Sequence, residues 1–162
     1  MILVIVDDLA TTTADAVLRP TDETLGPLSP AVSKLDQDAG PRFAEQRRLT
    51  TPLKAGAAVV TGGGDLKAPY VLHVVIQDPE SRTSRDVVRR ALVSAWQRAT
   101  DWELGTIAAP LVGTGDLTLE EAAKLLVETF PAAQTGCPAR LHIVVEAAAD
   151  RELVEAIIRR IA

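Results

Sequence analysis

The sequence predicts an α/β protein, a three-layer α/β/α sandwich around a mixed, mostly parallel sheet. Three observations carry this expectation. Short apolar runs of strand length alternate with longer segments whose apolar residues recur at three- and four-residue spacing. Several of the strand-length runs are apolar on both faces, as in a sheet covered by helices on each side. The length of 162 residues, with 47% hydrophobic and 24% charged residues, suits one folded domain. No internal repeat or linker divides the chain, so residues 1–162 read as a single domain.

The elements follow in order. Ile2 to Val6 is a continuous apolar run, Ala16 to Leu18 a very short second strand, and residues 19–30, with three prolines and one glycine, a loop. Ser29 followed by Pro30 is an N-cap with proline at the first helical position. That helix carries Val32 and Leu35 and stops near Gly40, and a second short helix starts at Pro41 with Phe43 and Arg47-Arg48. Ala57 to Thr61 and Tyr70 to Ile76 are strands separated by Gly62-Gly63-Gly64, which reads as a turn because no helix follows it. Ser84 to Ala99 is a helix with Val88, Ala91, Leu92, Ala95 and Trp96 on one stripe. Thr106 to Ala109 is a strand. Thr118 and Glu121 form a capping-box signature ahead of Ala122, Leu125, Leu126 and Phe130. Leu141 to Val145 is a strand, and Asp150 is expected to cap a last helix with Leu153, Val154, Ile157, Ile158 and Ile161 on one face.

Composition narrows the function. With 17 Lys and Arg against 22 Asp and Glu, the net charge is −5, which opposes nonspecific nucleic-acid binding. One cysteine, Cys137, permits no internal disulfide and no cysteine-based zinc site. No apolar run approaches the ~20 residues that span a bilayer. The N-terminus lacks a basic region and reads as a buried strand rather than a signal peptide. A cytoplasmic protein of a reducing compartment, with no membrane partner, no metal and no cofactor, is the expectation.

The segment Pro110-Leu111-Val112-Gly113-Thr114-Gly115-Asp116 runs from a strand through a Gly-Thr-Gly turn toward a helix. Glycines let such a turn direct N–H groups at a ligand, and N–H groups beside a helix N-terminus hold phosphate oxygens. A tight connection without a ligand is the alternative, and the Asp116 carboxylate opposes an anion. Asp7 and Asp8 close the first strand, where a carboxylate either accepts from an amine such as the adenine exocyclic group or caps the following turn. His73 and His142 lie inside apolar strands and read as satisfied core or edge histidines. Cys137, in Thr135-Gly136-Cys137-Pro138, reads as a surface-loop residue. Arg47-Arg48 and Arg89-Arg90 read as solvated helix faces, and Arg159-Arg160 suit the C-terminal end of a helix dipole.

The order of these pieces resembles a macro domain, the ADP-ribose-binding α/β/α module, from the first strand to about Phe130. Val6-Asp7-Asp8-Leu9-Ala10 with Ala14-Asp15-Ala16-Val17-Leu18 is similar to the family's opening, Gly-Asp-Ile-Thr then Val-Asp-Ala-Ile-Val. The resemblance implies that Asp8 contacts adenine and Leu9 supplies the backbone beside it. Ala31 to Gly40 is similar to the family's first helix, residues 56–62 and 70–75 to its central strand pair, and Gly113-Thr114-Gly115 to its second phosphate loop. Several positions depart from the family pattern. Arg19-Pro20-Thr21-Asp22 stands where the family has Asn-Ala-Ala-Asn, which places Asp22 where the distal ribose is held. The first phosphate loop is reduced to Gly26-Pro27-Leu28-Ser29-Pro30, and Pro27 has no N–H to donate. An Arg19 guanidinium reaching the phosphates would compensate.

Three readings follow from the resemblance. The first is a module binding ADP-ribose, an ADP-ribosylated protein or a related adenine nucleotide through Asp8, Leu9, Asp22, Gly26, Gly113, Thr114, Gly115 and Asp116. The second is a diverged interaction module that has lost the nucleotide. The third is a hydrolase of ADP-ribosyl linkages with Asp22 as its general base.

Overall fold

The computed structural model describes residues 1–131 and 136–161. Six strands form one sheet: β1 (Ile2–Val6), β2 (Ala16–Thr21), β3 (Ala58–Gly62), β4 (Tyr70–Val75), β5 (Thr106–Ala109) and β6 (Arg140–Val145). Their order is β1-β6-β5-β2-β4-β3. Every neighbouring pair is parallel except β3 with β4, which form an antiparallel hairpin at one edge. The helices are α1 (Pro30–Gln46), α2 (Arg85–Asp101), α3 (Leu119–Thr129) and α4 (Ala148–Ile161).

Strand alternation divides the core in two. Ala16, Leu18, Leu72, Val74, Ile107, Ala109, Leu141 and Ile143 pack beneath α2, α3 and α4. Val17 and Val71 turn to the other face and pack with Leu35, Ala39 and Phe43 of α1. The three layers are therefore unequal. A single helix covers the second face, on its β2–β4 side, and Leu3 on β1 stands 46% exposed.

The expected elements form, with four corrections. The two short helices predicted around Gly40 run on as α1, broken at Gly40 by a left-handed φ of 83° with Pro41 following. Asp150 sits inside the first turn of α4 and does not cap it, because the helix already starts at Ala148. Leu153 stands 55% exposed, off the buried stripe of that helix. Residues 19–21, expected as loop, extend β2.

The fourth correction positions the site. Thr21 accepts from the Ile76 N–H at 3.0 Å, so alternate residues of β2 direct their backbone groups to β4 and Pro20 faces the β5 side. Pairing with β5 ends at Val17. A proline inside this strand thus removes no ladder bond. The reason is that β2 and β5 have already diverged there, and the gap between them opens at the carboxyl ends of the parallel strands.

Candidate functional site

That gap is the topological switch point of the sheet. The chain leaving β5 passes through α3 to β6 on one side, the chain leaving β2 passes through α1 to β3 at the edge on the other, and a crevice lies between the two outgoing loops. A cavity of about 520 Å³ fills it, lined by Pro20, Leu28, Ser29, Ala31 and Val32 from the β2–α1 side and by Pro110, Leu111, Gly113, Thr114 and Asp116 from the β5–α3 side. A second cavity of about 590 Å³ continues it past Val6, Asp7, Asp8, Lys34 and Leu35. Leu9, Ala31, Pro110, Val144 and Glu146 border both. The acid at position 8 and the turn at 113 therefore line one continuous crevice of a size that suits a small organic ligand.

Asp8 is partly engaged. Its Oδ1 accepts from the Ala10 N–H at 2.8 Å and its Oδ2 from Lys34 Nζ at 3.0 Å. The Ala10 N–H first, then Lys34, hold its carboxyl below the usual range, so it is ionised at neutral pH and keeps acceptor capacity for a ligand amine. The 113–116 turn closes on itself, with Asp116 and Leu117 N–H groups donating to the Gly113 carbonyl at 3.2 and 2.8 Å. Gly113 needs its φ of 88°, and a Cβ there would come within 3.0 Å of Leu117 Cδ1. The Thr114 N–H donates to nothing among the described bonds, while the bridge of Thr114 with Leu117 turns the Gly115 N–H toward the Leu117 carbonyl.

Two helix N-termini compare differently with expectation. At α3, Thr118 and Glu121 complete the predicted capping box, and Glu120 joins Glu121 in the first turn. The box closes this terminus on itself and its carboxylates oppose an anion. At α1, Ser29 caps the Val32 N–H, proline fills a first-turn position, and the first turn carries no acid. Ser29, Ala31 and Val32 face the crevice, which leaves the positive end of the α1 dipole open to it. Pro20, Ala31 and Val32 escaped the sequence reading as site residues, and Leu28 and Ser29 entered it only within the reduced phosphate loop, although the Ser29-Pro30 start signal named the helix terminus that brings Ser29, Ala31 and Val32 there.

Asp22 and Gly26 border neither cavity. Asp22 Oδ1 accepts from the Thr24 and Gly26 N–H groups and the Thr24 hydroxyl at 2.9, 2.8 and 2.9 Å. Partial burial pushes its carboxyl up, but those donors and the charge of Arg19 outweigh burial and hold it low. The weak base that results is spent on fixing its own loop.

Arg19 does not reach the crevice, which corrects the expected phosphate contact. Its side chain is fully buried on the α1 face, because neighbouring residues of a strand point to opposite sides. There Nε and Nη2 donate to Asp36 at 2.8 and 2.7 Å, and Nη1 donates to the Leu25 carbonyl at 2.8 Å. Arg47 also departs from a solvated helix face. It donates to the same Leu25 carbonyl at 3.3 Å, lies 3.6 Å from Asp36, and stacks with Arg19 over Phe43. His73 completes the cluster as the satisfied core histidine expected. Burial first, then the charges of Arg19 and Arg47, push its pKa well below the ordinary value. Neutral Nδ1 faces Arg19 Nη1 at 3.2 Å, and Nε2 meets the Thr61 hydroxyl at 2.8 Å. Of the predicted surface loop around Cys137, Thr135 lies outside the described residues, and Cys137 is half-buried.

Fold and crevice together define an α/β/α protein with an open crevice at the carboxyl edge of its sheet. A profile of the Macro domain family matches residues 29–126. The chain belongs to the macro domain family. A macro domain-containing protein of Streptomyces coelicolor is 30% identical over 138 residues, covering 79% of this chain and 81% of that protein. A Mycobacterium tuberculosis protein is 27% identical over 148 residues, and the match spans 88% of this chain but 41% of that protein, so the chain spans well under half the length of the curated relatives it matches first. Among solved structures, the Oceanobacillus iheyensis macrodomain with ADPR superposes with a TM-score of 0.82 at 17% identity, covering 98% of this chain and 91% of that one. The Trypanosoma brucei macrodomain in complex with ADP-ribose gives 0.82 at 20% identity, covering 97% and 68%. These likenesses show the fold. No described helix is long and apolar enough to cross a membrane.

Proposed function

We propose that the crevice binds ADP-ribose or a related adenine nucleotide, free or attached to a protein. The observation that carries this reading is the continuity of the crevice from Asp8 to the Gly113 turn, past the open N-terminus of α1. Adenine enters beside Leu9 with its amine on the Asp8 carboxylate. The diphosphate lies over the α1 N-terminus, within reach of the Thr114 N–H group. The bound macrodomain structures of similar fold support the choice of ligand.

Calorimetry tests this directly. ADP-ribose should give a saturable heat, and Asp8→Ala should weaken binding about tenfold or more, as loss of one charge-assisted hydrogen bond implies. A flat titration at millimolar ligand would select the second reading, a diverged interaction module. One observation favours that reading: the charged residues lining the cavity that holds Gly113 are Asp116, Glu146 and Asp150, all acidic. The engagement of Asp22 within its own loop gives the hydrolase reading no support.

A further inference from the structure

We infer that Gln77 and Thr83, at the end of the crevice farthest from Asp8, set its preference for a ligand that carries a neutral, hydroxyl-bearing group beyond the diphosphate. The assignment rests on ADP-ribose entering as proposed above, and it names the residues that read the ligand's far end. The strand order sets the layout. Asp8 follows β1, the Gly113 turn follows β5, the α1 N-terminus follows β2, and Gln77 and Thr83 follow β4, the next strand along. Each of these but Asp8 contributes to one cavity. A diphosphate over the α1 N-terminus therefore leaves one more strand spacing of crevice, about 4.8 Å, which suits a sugar ring.

Hydrogen bonds fasten this end of the crevice. Thr83 Oγ1 donates to the Ile76 carbonyl at 3.0 Å, which ties the approach to α2 to the end of β4 and sets Thr83 close to Gln77. Asp78 holds the turn between them. Its Oδ1 accepts from the Glu80 and Ser81 N–H groups at 2.8 and 2.7 Å, and its Oδ2 from the Ala55 N–H at 2.8 Å. Gly113 lies against the same helix, where a Cβ would come within 3.2 Å of Val88 Cγ2. Inside that frame the Gln77 side chain is half-buried in the cavity lining and hydrogen-bonds to none of the described residues. Its carboxamide offers donors and an acceptor, and the Thr83 hydroxyl keeps lone pairs after donating to Ile76. Uncharged donors and acceptors fit hydroxyl groups. A further phosphate fits poorly, because among the described residues no Lys or Arg lines this cavity and Asp116 does. Asp22, where the resemblance places the sugar contact, borders neither cavity.

Calorimetry with two ligands tests the assignment. ADP-ribose should bind the wild type about tenfold tighter than ADP, which lacks the sugar beyond the diphosphate. Gln77→Ala should weaken ADP-ribose about fivefold, as loss of one neutral hydrogen bond implies, and leave ADP unchanged. Gln77→Met, which keeps the bulk of the side chain, should do the same. The unchanged ADP affinity reports that the variants fold. Asp8→Ala, at the other end, should weaken both ligands by the same factor. ADP bound as tightly as ADP-ribose overturns this inference and leaves the crevice reading standing. So do Gln77 variants that weaken both ligands equally, or neither. No heat from either ligand at millimolar concentration overturns the reading and the inference together.

Discussion

Arg19 is the residue whose fate sequence pattern was least able to give. The prolines around it suggested a loop and the resemblance offered it to the phosphates, but strand alternation turns it into the core, where Asp36 grips it at two points. Which of two faces a strand residue takes depends on where the strand ends, and the proline at position 20 disguised that end. Arg19→Met would leave Asp36 with Arg47 alone, at 3.6 Å, in place of two shorter charged hydrogen bonds, so it should cost about 2–3 kcal/mol in urea unfolding. His73 gives the cluster a pH signature. Its folded pKa is depressed, so between the ordinary value near 6.5 and the lower folded value the unfolded chain binds more protons. Stability therefore holds above about pH 6.5 and falls as acid is added, by up to about 1.4 kcal/mol per pH unit. Urea unfolding at stepped pH should show this slope in the wild type and its loss in His73→Gln.

Secondary-structure elements were mostly legible, because each carries its own local signal. The Thr118 and Glu121 box, the Ser29 cap and the apolar run of β4 depend only on neighbours in the chain. Boundaries failed where a distant partner decides them. β2 outruns its apolar run because β4 continues beside it to Thr21↔Val75, and α4 starts ahead of Asp150 without help from that side chain. The Gly40 break in α1 is a case where local and tertiary demands agree. A Cβ there would face a left-handed backbone and meet Asp65 Oδ2 at 2.5 Å. Gly40→Ala should lower stability by about 1–2 kcal/mol, read as a shift of the urea midpoint without change of slope.

Over the whole molecule, the switch point was predictable and its charge was not. An alternating α/β pattern places a ligand at the carboxyl ends of the strands whatever the side chains there. The resemblance supplied Asp8 and the 113 turn, and both line the crevice. The acids that border it with Asp116 come from the end of β6 and the start of α4, far along the chain from either motif, so no local pattern announced them. If the diphosphate lies where we propose, Asp116→Asn removes a like charge at the rim. It should tighten ADP-ribose about threefold at low salt, with the gain shrinking as ionic strength rises, as a calorimetric salt series would show.

The carbonyl of Leu25 has a consequence for how the crevice moves. Leu25 is fully buried, sits at a φ of 62°, and receives both Arg19 and Arg47. Swinging the 22–28 wall outward would strip two guanidinium groups of an acceptor inside an apolar layer. That jaw is locked. A nucleotide bound as we propose would therefore meet a fixed wall on the β2 side and could not prise it outward.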